Sequence, residues 1–248
     1  MTTTIRGTRA LVTGAGRGLG QVFSETLIAR GAGTVYGAAR DPSRVTIPGV
    51  TPVRLDITNP AQVAAAAKRC SEVDLLINNA GIMRFTPLLS APGTEAAEDE
   101  MRTNYFGTLA MCRAFAPVLG ANGGGTLVNI LSVVSWFAMP LNSSYGASKS
   151  AEWALTNAAR VELRQQGTLV VGVFASFIDT GMAPDIDLPK ISPQSVVDQT
   201  LDAIEAGREE VLTDERTRFI KAALPDDLSA IYPAQQDLWD ATHPHQRS

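Results

Sequence analysis

Eight residues, Thr13-Gly14-Ala15-Gly16-Arg17-Gly18-Leu19-Gly20, do most to limit what this chain can fold into. They join a short apolar run, Arg9–Thr13, to a helical pattern over 19–30. Glycines at such a junction let helix and strand pack closely and let a ligand approach the backbone. The first turn of the helix then offers N–H groups that have no partner within it. A tight strand-to-helix turn alone would use the same residues, so the rest of the chain has to decide what this turn serves.

The pattern around it repeats. Apolar runs at 34–38, 51–55, 73–78, 126–130 and 169–174 read as buried strands. Helical patterns follow most of them. One opens at Asn59-Pro60, and others cover about 94–119, 144–166 and 193–207. Gly31 and Gly33, Gly123 to Gly125 and Gly167 stop the helices they follow. Residues 41–49 are too short and too rich in proline for a full crossover helix. The segment Glu210-Val211-Leu212-Thr213 reads as a shortened last strand. Strands alternating with helices predict a single α/β domain of three layers around a doubly wound parallel sheet with right-handed crossovers. The tail over 214–248 fits this pattern least.

Composition excludes several chemistries. The chain of 248 residues holds two histidines, His243 and His245, and two cysteines, Cys70 and Cys112. That leaves too few ligands for a zinc site and no base for a Ser-His or Cys-His nucleophile. A net charge of −4 argues against a nucleic-acid binder. No apolar run is long enough for a signal segment or a membrane span, so a cytoplasmic protein is expected.

Tyr145-Gly146-Ala147-Ser148-Lys149 sets a phenol and an ammonium four residues apart, on one face of a helix start. A phenol titrates near ~10, and a close cation favours the phenolate. Such a pair can exchange a proton with an alcohol or carbonyl oxygen, although a solvated Tyr–Lys pair has the same spacing. Ser132 stands just past the 126–130 strand, where loops build sites, and its hydroxyl could bond a carbonyl.

Thr13-Gly14-x-x-x-Gly18-x-Gly20, Asn78-Asn79-Ala80-Gly81, Asn104-x-x-Gly107, Ser132 and Tyr145-x-x-x-Lys149 occur in this order. Over about residues 7–182 the chain resembles the short-chain dehydrogenase/reductase family. The resemblance implies a Rossmann-type fold binding NAD(H) or NADP(H) and moving hydride between nicotinamide and a carbonyl or alcohol carbon. It implies that Tyr145 is the acid–base residue, that Lys149 lowers its pKa and holds the ribose, that Ser132 polarises the carbonyl and that Asn104 positions a water. Gly14, Gly16, Gly18, Leu19, Gly20, Asn79, Ala80 and Gly81 would line the cofactor, with Asp56 and Ile57 at the adenine and Ile178 and Thr180 at the carboxamide. Two departures stand out: Ala175-Ser176 replaces the family's usual Pro-Gly, and the C-terminal strand ending in a glycine pair is absent.

NAD enzymes of this fold carry a carboxylate at the end of the second strand. Here Arg40 stands there, and Arg17 lies in the glycine turn. Arginine forks match a 2′-phosphate, so NADP(H) is expected over NAD(H). The alternative is that Asp41 reaches the ribose. The substrate pocket is expected to draw on Met83, Phe85, Trp136, Phe137, Met139, Asn142 and Met182, a mostly apolar set that suits a hydrophobic ketone or aldehyde. A carbonyl reductase is the leading expectation, and a cofactor-binding sensor without turnover is the rival. Ala147, Ala151, Ala154 and Ala158 form a stripe of small residues. Such a stripe allows close approach to the protein's own sheet or to another subunit; the resemblance implies pairing through this helix and the one over about 94–119, and with the altered C-terminus a homodimer is expected over a tetramer. The tail, with Leu224, Leu228, Ile231, Tyr232, Leu238 and Trp239, would fold back over the site or form another interface.

Overall fold

In a computed structural model that describes residues 4–181 and 189–242, the sheet starts with β1 (Arg9–Thr13), whose Leu11 and Val12 are fully buried. Hydrophobic side chains alternate to both faces of such a strand and need a layer on each. Helices supply both layers. On one side α1 (Gly18–Ala29) packs with α6 (Pro193–Glu205) around Phe23, Leu27, Val197 and Leu201. On the other, α2 (Pro60–Arg69) and α4 (Thr108–Ala121) enclose Leu76, Met111, Phe115 and Leu127.

The remaining strands are β2 (Thr34–Ala39), β3 (Val50–Arg54), β4 (Leu75–Asn78), β5 (Thr126–Ile130), β6 (Leu169–Phe174) and β7 (Glu210–Leu212). Their order is β3-β2-β1-β4-β5-β6-β7, and every pairing is parallel. Chain direction across the sheet reverses between β1 and β4, and ligands of open α/β sheets bind at the strand C-termini beside that switch. The crossover from β2 to β3 is a single 3₁₀ turn, Pro42–Arg44, as its length and prolines require.

The predicted helix over 94–119 is one helical run of mixed pitch. It comprises α3 (Glu95–Glu100), a wider π-helical stretch Met101–Gly107, and α4. Asn104 lies in the π stretch, a kind of irregularity that gathers at functional sites. α5 (Ser143–Glu162) packs against that stretch and carries Tyr145 and Lys149.

The tail is helical. α7 (Glu215–Ala223), α8 (Asp227–Ala230) and α9 (Tyr232–Thr242) follow β7. Ile220, Ile231, Leu224, Tyr232 and Leu238 pack on Val133, Val134, Phe137 and Met139 in the loop after β5. Tyr232 Oη accepts a hydrogen bond from the Ala138 N–H at 3.3 Å. Leu228 stays 80% exposed, so it does not join this contact. Among the described residues no helix is long and apolar enough to cross a membrane.

Candidate active site

A cleft of about 800 Å³ opens at the C-terminal ends of β1, β4, β5 and β6. At its floor, Thr13 ties the end of β1 to the segment that follows β4. Its Oγ1 accepts the N–H groups of Asn79 and Ala80 at 2.9 and 3.0 Å, and Asn79 Nδ2 donates to the Thr13 carbonyl at 2.8 Å. The glycines leave no room for side chains here. Gly14 has φ +69°, and a Cβ on Gly20 would sit 2.3 Å from the Gly14 carbonyl oxygen. Arg17, ahead of α1, makes no side-chain cap, and the first turn of α1 carries no acidic residue. The result is a cradle of bare backbone with helix N–H groups facing it, which fits a dinucleotide pyrophosphate.

Gly14, Gly16, Arg17, Gly18, Leu19, Arg40, Asp56, Ile57, Asn79, Ala80, Gly81, Ile178 and Thr180 all line the cleft, and Gly20 sits behind it in the turn. Asp41 also lines it but is engaged elsewhere. Its carboxylate accepts the Ser43 N–H at 3.1 Å and the Ser43 hydroxyl at 2.7 Å, and these bonds hold its pKa below the usual carboxylate range. Among the described residues Arg17 and Arg40 have no side-chain partner. Arg44, which sequence reasoning did not single out, adds a third guanidinium to this rim, 3.9 Å from Asp41. Asp56 accepts the Thr58 N–H at 2.9 Å, and Asn59 rather than Asp56 caps α2.

At the other end, Ser132, Tyr145, Lys149, Met83, Met139 and Asn142 share the cleft wall. Ser132 begins a 3₁₀ turn, Val133–Ser135, whose capping box fixes its position. Its hydroxyl stands near enough to the Tyr145 phenol to favour the phenolate. Lys149 Nζ lies 5.9 Å from the centre of the Tyr145 ring and donates to the Ile130 carbonyl at 2.8 Å. Its second partner is Glu152, one turn further along α5, with Nζ and Oε2 2.5 Å apart. The pair is buried, with Lys149 6% and Glu152 1% exposed.

The effect on Tyr145 differs from the sequence expectation. Burial pushes its pKa up, Lys149 pulls it down, and Glu152 pushes it up again, so that the net direction is upward. Lys149 favours the phenolate as expected, but Glu152 offsets part of its charge and the protein interior outweighs the remainder. Burial moves Glu152 up as well, with Lys149 opposing.

Asn104 stands behind the wall, fully buried. Its amide donates to the Ile82 carbonyl and accepts the Ile82 N–H, both at 2.9 Å, and it also donates to Ser148 Oγ at 2.9 Å. Its side chain therefore clamps the segment after β4 onto α5. That spends both of its side-chain N–H groups on protein partners.

Three pocket residues lie elsewhere than expected. Trp136 stacks on Phe174 with ring centres 4.1 Å apart and lies, with the buried Phe137, against the tail helices. Neither lines the cleft, because the tail covers the side of the loop that they occupy. Phe85 is 44% exposed at a backbone φ of 51° and does not line the cleft. Met182 falls outside the described residues. In their place the structure adds Phe177 from the loop after β6 and Arg216 from α7. Among the described residues no cluster of side chains could hold a metal ion.

Comparison with known proteins agrees with this geometry. The short chain dehydrogenase profile matches residues 8–190. A solved short chain dehydrogenase from Burkholderia cenocepacia, in complex with NADP, is 42% identical with a TM-score of 0.90, covering 94% of this chain and 99% of that one. A short chain dehydrogenase/reductase from Burkholderia phymatum, in complex with NAD, is 26% identical with a TM-score of 0.80, over 91% of this chain and 95% of that one. The 2-(R)-hydroxypropyl-CoM dehydrogenase of Xanthobacter autotrophicus is 31% identical over 75% of this chain and 80% of its own length.

Proposed function

The chain belongs to the short-chain dehydrogenase/reductase family of NAD(P)-dependent oxidoreductases, and from that premise we propose that it is an NADPH-dependent reductase of a ketone or aldehyde with apolar flanks, oxidising the alcohol in reverse. One observation carries this reading: Ser132, Tyr145 and Lys149 share a wall of the same cleft whose far rim holds Arg17 and Arg40.

The bound nicotinamide would supply or take up the hydride. The chain's own residues handle the oxygen. Ser132 donates a hydrogen bond to the carbonyl oxygen and so favours the charge that develops there. The Tyr145 hydroxyl gives its proton to that oxygen on reduction and recovers it on oxidation. Lys149 holds positive charge beside the phenol, and its bond to the Ile130 carbonyl fixes where that charge sits. Met83 and Met139 give the substrate an apolar, adaptable surface.

The guanidinium groups of Arg17 and Arg40, unpaired among the described residues, support NADP(H) over NAD(H), and the Burkholderia cenocepacia relative is in complex with NADP. We also place the protein in the cytoplasm, a reading supported by two buried cysteines that are both free, and as a homodimer. Ala147, Ala154, Ala158 and the 77% exposed Val161 on α5, with the 56% exposed Phe106 beside it, support that assembly.

Steady-state turnover of a panel of ketones and aldehydes with both cofactors tests the reading. NADPH should outperform NADH, and Arg40→Ala should lower that ratio roughly ten- to a hundredfold. Tight NADPH binding with no turnover of any carbonyl would favour a sensor instead, and an unchanged cofactor ratio in the variant would remove Arg40 from the reading.

A further inference from the structure

α7 carries three cations, and the surroundings of one differ from those of the others. Lys221 pairs with Glu210 at 2.9 Å while resting over Trp136, and Arg218 donates to the Leu212 carbonyl at 3.0 Å. Arg216 alone lines the cleft. Among the described residues its guanidinium has no hydrogen bond and no ion pair. The guanidinium lies over the face of Phe177, 5.4 Å from guanidinium carbon to ring centre.

The position is built rather than incidental. Asp214 caps α7 by accepting the Thr217 N–H at 2.8 Å, and it also accepts the Ser176 N–H at 2.9 Å. One carboxylate thus fastens the start of α7 to the loop that carries Phe177. Among the described residues Asp214 is the acidic group that acts on Arg216, yet its oxygens are already engaged by Thr217 and Ser176. Phe177 supports one face of the guanidinium and leaves its N–H edge free. Burial lowers the Arg216 pKa, with Asp214 opposing, though an arginine stays charged at any ordinary pH. A half-buried cation that makes no ion pair of its own, with the neighbouring carboxylate bound to other groups, is unfavourable unless a ligand supplies one. The cations that suit the adenosine end, Arg17, Arg40 and Arg44, line the cleft beside the glycine turn and the 3₁₀ turn after β2, whereas Arg216 lies over Phe177, which packs in one apolar cluster with Tyr145 and Met139.

We infer that Arg216 binds a carboxylate carried by the substrate at a distance from its carbonyl, so that the substrate is an oxo acid with an apolar body. This rests on the reductase reading above and narrows it. The residue lies beyond the segment that matches the family profile, 8–190, so the specificity it confers belongs to this chain's tail.

The test uses 2-oxopropanoate, 4-oxopentanoate, 5-oxohexanoate and 6-oxoheptanoate, each beside its methyl ester, with NADPH. At least one acid should exceed its ester in kcat/KM by roughly ten- to a hundredfold, the range of a charge-assisted hydrogen bond. Arg216→Met should bring that ratio near one, and Arg216→Lys should leave part of it. Thermal melting of both variants checks their folding. Calorimetric titration of the NADP-loaded protein with the same acid provides a reading without turnover. Turnover of acids and esters alike, or a ratio that survives in Arg216→Met, would overturn the inference and leave the reductase standing. Acid binding that weakens tenfold in Arg216→Met, with no turnover by any protein, would uphold Arg216 and overturn the reductase. A tenfold loss of NADPH affinity in Arg216→Met with an unchanged acid-to-ester ratio would assign the residue to the cofactor and overturn the inference.

Discussion

Tyr145 and Glu152 lie seven positions apart on α5 and act on the same proton. Tyr145→Phe keeps the ring and loses only the hydroxyl, so turnover should fall by ~10²–10⁴ while NADPH affinity stays within a few-fold. Retention of a tenth of the wild-type rate would exclude Tyr145 as the proton carrier. Glu152 offers a subtler reading. Its carboxylate faces Lys149 on its own helix, and Thr108 and Cys112 on α4. The Cys112 thiol is pushed up to about 12, by burial first and by Glu152 next. The same negative charge raises Tyr145, whereas Lys149 lowers it. Glu152→Gln removes the raising charge and leaves the lowering one. Alcohol oxidation needs the phenolate and rises with pH through the Tyr145 pKa, so its acid limb should move to lower pH in this variant. A limb that stays put or moves upward would show that Glu152 only packs. Tyr145 and Lys149 were legible in sequence because the family's spacing carries them. Glu152 and Arg216 were not, since one is a single carboxylate on a helix and the other gains its meaning from a contact with a loop some forty residues earlier.

At the scale of elements, β1, β5 and β6 begin and end where the apolar runs predict, because a strand buried on both faces leaves a continuous apolar signature. The helix over 94–119 was legible as a helix but not in its π stretch, which depends on how Asn104 meets Ile82 across the fold. Trp136 and Phe137 were misplaced for a related reason. Large apolar residues after a strand suit a pocket and a core equally, and here the tail helices claim them for a core. The link that holds the tail is Asp214. Burial raises its pKa, but the N–H groups of Ser176 and Thr217 and the Thr217 hydroxyl bring it below the usual range. A carboxylate with a depressed folded pKa contributes stability above its unfolded pKa and loses it as pH falls through the folded value. Asp214→Ala should cost about 0.5–2 kcal/mol, the range of a lost helix cap. For a chain of this size that is a fall on the order of 1–8 °C in Tm. Asp214→Asn, which still caps, should lose less. Equal melting of all three proteins by differential scanning calorimetry would mean that the tail is held by its apolar contacts alone.

At the scale of the whole molecule, the doubly wound parallel sheet was readable from the alternation of runs. What no local pattern carries is how one copy meets another. The stripe Ala147, Ala154 and Ala158 is exposed, Ala151 is half-buried, and Val161 extends the same helix face. Light scattering at micromolar concentration should give about twice the 26.3 kDa chain mass. A clean value at one chain mass would refute any stable oligomer, and one near four would show that the altered C-terminus does not prevent further assembly.

The packing of the tail on the loop after β5 also has a consequence in time. A ribosome adds roughly 5–20 residues per second, so α7 to α9 are made several seconds after β5 has emerged. Through that interval Val133, Val134, Phe137 and Met139 have no cover from Ile220, Ile231 or Leu238. The wall that carries Ser132 and Tyr145 therefore has no backing on a partly made chain, and a nascent chain at that stage presents an apolar surface that a chaperone can hold. Both conditions end in one event, when α7 docks and Asp214 closes onto Ser176.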